Sequence, residues 1–292
     1  MKLISVFTPT YNRAYMLENL YQSLLKQKAN IEFEWIIVDD GSTDETEKKV
    51  NNWLNNNNFE IIYDKQVNSG KHIAINRGLE LAKGKLFFIV DSDDYLTDNA
   101  LEIIQKWEKT LPYSKEKFAG IAGLKGFNKQ NTIGQTFKKE YLDATSLERN
   151  KFNIKGDKAE VFYTNILKEY KFPQFENEKF MSEAYIWNRI ALDGYKLRWF
   201  NEILLICDYK EDGLTKNRKK IEKNNPRGEL LYLKQLIDID KNIVKKIAHY
   251  SSYVKIAQNI YTKKEIKRQL NISYIKLYIL IIIYKLRNLW RD

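Results

Sequence analysis

Residues 86–94 read Leu-Phe-Phe-Ile-Val-Asp-Ser-Asp-Asp, and few folds can accommodate them. Five apolar, β-prone residues in a row suit a strand covered on both faces. Asp91, Asp93 and Asp94 then crowd three carboxylates at its carboxyl end, which costs free energy unless something cationic sits there. A hard divalent ion, Mg²⁺ or Mn²⁺, is the simplest occupant, because it prefers oxygen ligands and shares them with substrate phosphates. Ligands of open α/β sheets gather at the carboxyl ends of strands. The stretch therefore points to a metal–nucleotide site at a sheet edge.

The flanking sequence supplies the sheet. Residues 3–8, 35–38 and 59–63 read as strands, and helical spacing of apolar residues over 14–28 and 72–82 separates them from one another and from the strand at Leu86. Ser42 or Thr43 is placed to cap a helix after the second strand. Three β-loop-α units and a fourth strand predict an α/β fold with a mostly parallel, doubly wound sheet and helices on both faces. Beyond it, residues 118–137 suggest edge strands or a hairpin, 159–168 and 182–191 helices, and 195–200 and 203–209 strands. The expected organisation is a main domain over 1–210, divided into a nucleotide-binding half (1–98) and an acceptor half (99–210). A polar linker or mobile loop follows over 211–228, and a basic helical tail over 229–292.

Several classes are disfavoured. A single cysteine, Cys207, excludes an internal disulfide framework and a cysteine-based zinc site, and two distant histidines argue against a His-rich metal centre. The short apolar stretch at the amino terminus, broken at Pro9, does not suit a secretory signal, so a reducing, cytoplasmic location is expected. Of the net charge of +11, twelve Lys/Arg against Glu265 and Asp292 place +10 within residues 241–292. The nearly neutral remainder lacks the basic stripe of a nucleic-acid binder.

Three clusters carry candidate chemistry. In Thr8-Pro9-Thr10-Tyr11-Asn12-Arg13, backbone and hydroxyl groups can bond a base or ribose and Tyr11 offers a flat face, or the segment is a turn with Asn12 as a cap. Asp39-Asp40 can accept the imide N–H of a uracil, or cap the next helix. In Asp91-Ser92-Asp93-Asp94, Asp94 fits a capping role, whereas Asp91 and Asp93 do not.

Pro-Thr-Tyr-Asn-Arg, Val-Asp-Asp-Gly-Ser and Asp-Ser-Asp-Asp, in this order, together with Asn68-Ser69-Gly70 and Ala74, Asn76 and Gly78, resemble the family-2 glycosyltransferases of GT-A fold over roughly residues 1–210. The resemblance implies an inverting enzyme with a nucleotide-sugar donor, a UDP-sugar by the reading of Asp40. Thr8 and Tyr11 would line the base pocket, with Pro9 and Arg13 beside them, and Asp40 would hold uracil. Gly70, Lys71, Asn76 and Ser92 would complete the donor site. Asp93 would ligate the metal, and Asp91 the ribose or the metal shell. Ile75 stands where the family often has arginine, so Lys71 or Arg77 would supply charge to the diphosphate. His72 either faces the donor or packs.

Direct displacement also needs a base for the acceptor hydroxyl. The family's Glu-Asp pair aligns with Ser182-Glu183, which puts glutamate at the usual aspartate position and makes Glu183 the base, with Glu176 and Glu178 in reserve. Trp187, Trp199 and Phe200 could stack on an acceptor sugar, although core packing competes. Residues 209–215 could close over the donor.

The tail carries an apolar run over 277–284, far below the roughly 20 residues of a membrane span. With Lys276, Lys285, Arg287, Trp290 and Arg291 around it, the expectation is an interfacial helix on anionic lipid. Packing on protein, including a homodimer, is the competing reading. The protein is thus expected at the cytoplasmic face of a membrane, acting on a saccharide or lipid-linked acceptor. A nucleotidyltransferase would want a glycine-rich phosphate loop, which residues 8–14 lack. A non-catalytic scaffold is the remaining alternative.

Overall fold

The computed structural model describes residues 2–27, 31–55, 59–112, 117–207, 221 and 223–289, with side chains placed as far as residue 283. It contains two compact units, one formed by residues 1–172 and 186–211, the other by 173–185 and 212–292. The expected closing loop over 209–215 lies outside the described residues.

The first unit is built on a nine-stranded sheet: β1 (Ile4–Thr10), β2 (Phe33–Asp39), β3 (Glu60–Lys65), β4 (Leu86–Ile89), β5 (Asp94–Leu96), β6 (Phe118–Gly126), β7 (Tyr141–Ala144), β8 (Lys158–Tyr163) and β9 (Lys196–Cys207). The order is β3-β2-β1-β4-β8-β6-β9-β5, with β7 also on β9. Strands β3, β2, β1 and β4 are parallel, as their β-loop-α connections require. Beyond them the sheet is mixed: β6 is parallel to β9, whereas β8 runs antiparallel between β4 and β6, and β5 and β7 run antiparallel to β9.

Every residue of β1 and β2 is buried, as befits strands covered on both faces, and the one buried carboxylate before their ends, Glu34, accepts from Ser5 Oγ. Helices α1 (Leu17–Leu25), α2 (Thr46–Leu54), α3 (Lys71–Leu81) and α4 (Ala100–Glu108) accompany the sheet. Helix α1 buries Leu17, Leu20, Tyr21 and Leu24, and the Tyr21 ring stacks on Trp53 at 4.4 Å and on Trp35 at 6.1 Å. The start of α2 is set by Asp44, whose Oδ1 accepts from the Thr46 N–H, rather than by Ser42 or Thr43.

Two further expectations are corrected. Residues 158–163 form β8, and only α5 (Thr164–Leu167) is helical. Lys, Ala and Glu favour helix there, but Val161 and Phe162 are buried and pair with Phe88 and Phe87, so packing overrides local propensity. Residues 118–126 form β6 inside the sheet, between β8 and β9, rather than an edge strand, while the expected hairpin is present as the antiparallel bridge Gly126–Thr132. The two expected strands from 195 onward are the single β9, Lys196–Cys207.

Gly78 lets α3 approach β1. A Cβ there would lie 2.3 Å from the Phe7 ring, so Gly78→Ala should lower stability by about 1–3 kcal/mol. The measurement is a lower urea midpoint at unchanged slope.

In the second unit, α7 (Pro226–Ile239), α8 (Ile243–Ala257), α9 (Lys263–Leu270) and α10 (Tyr274–Leu289) pack around Leu233, Tyr253, Val254, Ile266, Leu277 and Leu280. Pro226 opens α7, so the end of the expected 211–228 linker is helical. Asn242 accepts from the Val244 and Lys245 N–H groups, and Thr262 with Glu265 forms a capping box. Residues 178–180 join this unit. Glu178 accepts from the Arg227 and Gly228 N–H groups, and Asn225 Oδ1 accepts from those of Lys179 and Phe180. No described helix is long and apolar enough to cross a membrane.

Candidate active site

Parallel pairing brings the carboxyl ends of β1, β2 and β4 to one edge. Thr10 lies opposite Asp39, and the Val90 N–H donates to Phe7. A tight turn follows, closed by the Asp94 N–H on the Asp91 carbonyl at 3.0 Å, and it crowds the three carboxylates together. Two lysines meet them. Lys71, the first residue of α3, places Nζ 2.5 Å from Asp91 Oδ1. Lys125, from β6, is 2.7 Å from Asp94 Oδ2 and 3.9 Å from Asp91 Oδ2. Lys125 was missed in the sequence. The only signal was a lone charge inside the apolar run Phe-Ala-Gly-Ile-Ala-Gly-Leu-Lys-Gly, which is costly to bury without a partner.

The electrostatics separate the three carboxylates. Burial pushes Asp91 up, but Lys71 and Lys125 outweigh it and hold its carboxyl below the usual range. Asp93 is pushed up to about 6, by burial and then by Asp91 and Asp94. Burial raises Asp94 despite Lys125, whose ammonium Asp94 and Asp91 hold well above its ordinary value against its own burial. Among the described residues, Asp93 has no Lys or Arg within ion-pair distance. It is therefore the carboxylate that still calls for a cation. The oxygen donors suit Mg²⁺ or Mn²⁺. No three His, Cys, Asp or Glu side chains converge as a metal cage among the described residues, so an ion here would take its remaining ligands from a diphosphate and water.

Asp40 organises the neighbouring loop. Its Oδ1 accepts from Gln66 Nε2 and the Ser69 N–H, and its Oδ2 from the Gly70 N–H, each at 2.7 Å. Gly70 has φ +94°, a conformation that favours glycine, and opens α3. One acceptor position on Oδ2 is left for a further donor. Asp39 accepts from the Ser42 N–H and the Tyr63 hydroxyl. Tyr11 is 49% exposed. Asn12, at φ +53°, accepts from the Thr43 N–H, while its own N–H donates to Ser42 Oγ. Arg13 Nη1 donates to the Tyr15 hydroxyl at 3.4 Å. Pro9 and Ser92 are buried at the two strand ends.

Other expected donor contacts are corrected. Thr8 is fully buried and its hydroxyl accepts from Trp35 Nε1 at 2.9 Å, so its side chain is engaged within the sheet core. The Asn76 amide donates to the Phe172 carbonyl and accepts from its N–H, both at 2.9 Å, which makes it a backbone clip. Arg77 forms a fork with Asp64 at 2.8 and 3.0 Å, leaving Lys71 as the α3 cation at the carboxylates.

His72 is buried against Phe172, and burial pushes its imidazole down to about 4. An unfolded histidine titrates near 6.5, so the unfolded chain binds more protons between the two values. The resulting stability is complete above pH 6.5 and is lost as pH falls through 4, on the order of 3 kcal/mol. Urea midpoints at pH 7 and pH 4.5 should show this slope, and His72→Phe should flatten it.

The aromatic acceptor candidates are also corrected. Trp187, in α6 (Ala184–Leu192), is 8% exposed and stacks on Phe162 at 4.4 Å. Trp199 is 1% exposed and donates Nε1–H to the Ala144 carbonyl. Phe200 stacks on Trp107 at 4.1 Å. All three are core. In the second unit, Glu183 is half-buried at the residue before α6, Glu178 is spent on the start of α7, and Glu176 is exposed.

Residues 5–140 match the family model described as glycosyl transferase family 2. Abequosyltransferase RfbV of Salmonella typhimurium is 42% identical over 107 residues, 36% of this chain and 32% of that protein. The chain thus spans about a third of that relative. GalNAc(5)-diNAcBac-PP-undecaprenol beta-1,3-glucosyltransferase of Campylobacter jejuni is 27% identical over 276 residues, 89% of this chain and 85% of that protein. The fold is similar to that of Staphylococcus aureus TarS 1-349 in complex with UDP-GlcNAc, with a TM-score of 0.61 and 20% identity over 92% of this chain and 78% of that one. Sheet, carboxylate cluster and sequence likeness agree over this part of the chain, and residues 5–140 are a glycosyl transferase family 2 domain.

Proposed function

We propose that this enzyme transfers a sugar from a UDP-sugar to a saccharide or lipid-linked acceptor, with inversion at the sugar carbon and with Mg²⁺ or Mn²⁺ bound by Asp93 and Asp91. The acceptor would be met at the cytoplasmic face of a membrane, in the making of a surface polysaccharide or glycoconjugate. The observation that carries the reading is Asp93, half-buried beside two other carboxylates and, among the described residues, without a Lys or Arg at ion-pair distance. The relatives support the substrate class, since one named for lipid-linked glucosyl transfer aligns along most of the chain.

The divalent ion would neutralise charge on the departing diphosphate. Lys71 would leave Asp91 for the diphosphate oxygens, while Lys125 keeps Asp94 and Asp91 in register. The Asp40 carboxylate, fixed by Ser69, Gly70 and Gln66, would accept the uracil imide N–H at its remaining position, with Tyr11 beside the base. Glu183 would take the acceptor proton as the hydroxyl attacks.

Calorimetry with UDP tests the donor half. Binding should be at least roughly tenfold tighter with Mn²⁺ than with a chelator, and slow UDP release from a UDP-sugar should require the ion. Equal affinity in both conditions would remove metal-bridged donor binding.

A further inference from the structure

We infer that the second unit carries a lipid-docking face, made by one side of α10 and framed by lysines of α9, that lays this helix in the plane of an anionic bilayer. The inference gives a physical contact to the membrane location proposed above, but it stands on residues remote in sequence from the carboxylates.

Tyr274, Ile275, Tyr278, Ile279 and Ile282 are 44, 75, 48, 50 and 56% exposed. Their spacing, one and four residues apart along the helix, places them on a single face. The opposite side is satisfied, because Leu277, Leu280 and Ile281 are buried in the helical core. Five large, exposed side chains in one contiguous stripe are more than the scattered apolar residues of an ordinary surface.

Charge says what covers them. Between Glu265 and Asp292 the chain contains no carboxylate side chain. Lys267 lies over the Tyr274 ring and Lys263 over the Tyr278 ring, each at 4.8 Å. Lys276, from α10 itself, lies over Tyr250 at 4.7 Å. An apolar stripe with tyrosines at its margin and ammonium groups beside them matches the depth profile of a bilayer surface, from acyl chain through interface to anionic headgroup. The 16-residue helix is about 24 Å long, and no described helix can span the membrane. An in-plane helix is the geometry left.

The test is flotation of the full chain with vesicles of phosphatidylcholine alone and with 30% phosphatidylglycerol. The chain should bind the anionic vesicles and lose most binding at high salt. Replacing Ile275, Ile279 and Ile282 with serine should weaken binding by roughly tenfold per residue, and Lys263→Gln or Lys267→Gln by roughly fivefold each. Melting temperature and far-UV circular dichroism should stay unchanged. Asp93→Asn should float like the parent, which separates this result from the fate of the catalytic reading. Absence of binding to anionic vesicles would overturn the inference. So would unchanged binding by the triple-serine chain, or a dimer in sedimentation that the triple-serine substitution splits without altering flotation. That last outcome would assign the stripe to a second copy of the chain.

Discussion

Asp93→Asn should reduce sugar transfer by on the order of 10³-fold, the scale of losing a principal charge-stabilising group, and yet leave the protein as stable as before or more so. Both halves follow from one geometry. Burial and the neighbouring Asp91 and Asp94 disfavour the Asp93 carboxylate, and no described Lys or Arg compensates it by an ion pair. An amide of the same shape relieves that repulsion while removing the proposed metal ligand. Activity lost with an unchanged or raised melting temperature is the pattern of a group retained for function. Lys125→Met offers the contrast. It strips a buried cation from Asp94, so it should cost stability, about 3 kcal/mol, as well as activity. Wild-type transfer by Asp93→Asn would take Asp93 out of the chemistry.

Glu183→Gln should lower kcat by about 10²- to 10⁴-fold, the usual contribution of a general base, with UDP affinity in Mn²⁺ unchanged. Glu183→Asp, which restores the residue usual in the family, should keep a measurable fraction of the rate. If Glu183→Gln turns over normally, the base lies elsewhere, and exposed Glu176 becomes the next residue to replace.

The sequence disclosed the parts of the fold in which local signal and tertiary demand agree. Strands β1, β2 and β4 are largely buried, so they appear as mainly apolar runs, and each leads into the polar residues of the candidate site. β8 was misread because Lys158, Ala159 and Glu160 are good helix formers, while the strand is imposed by partners at Leu86–Phe88 and Gly120–Leu124. The aromatic residues were ambiguous for a related reason. A tryptophan for stacking on sugar and one for filling a core look alike in sequence, and only burial placed Trp187 and Trp199 inside. Lys125 was hidden by distance along the chain, since its partners Asp94 and Asp91 lie some thirty residues earlier. Asn76 was legible as a polar residue that matters, but its bond to Phe172 spans 96 positions and no local pattern encodes it.

The pairing of Lys71 and Lys125 with the carboxylates has a kinetic consequence. Among the described residues, the cluster sets three aspartates against two lysines, which leaves one surplus negative charge when all are ionised. On the proposed reading, a nucleotide diphosphate arriving alone would meet a like sign, whereas one that carries a divalent counter-ion would meet attraction. Donor and ion are thus expected to enter as one complex or with the ion leading, and spent nucleotide to depart most readily once its ion has gone.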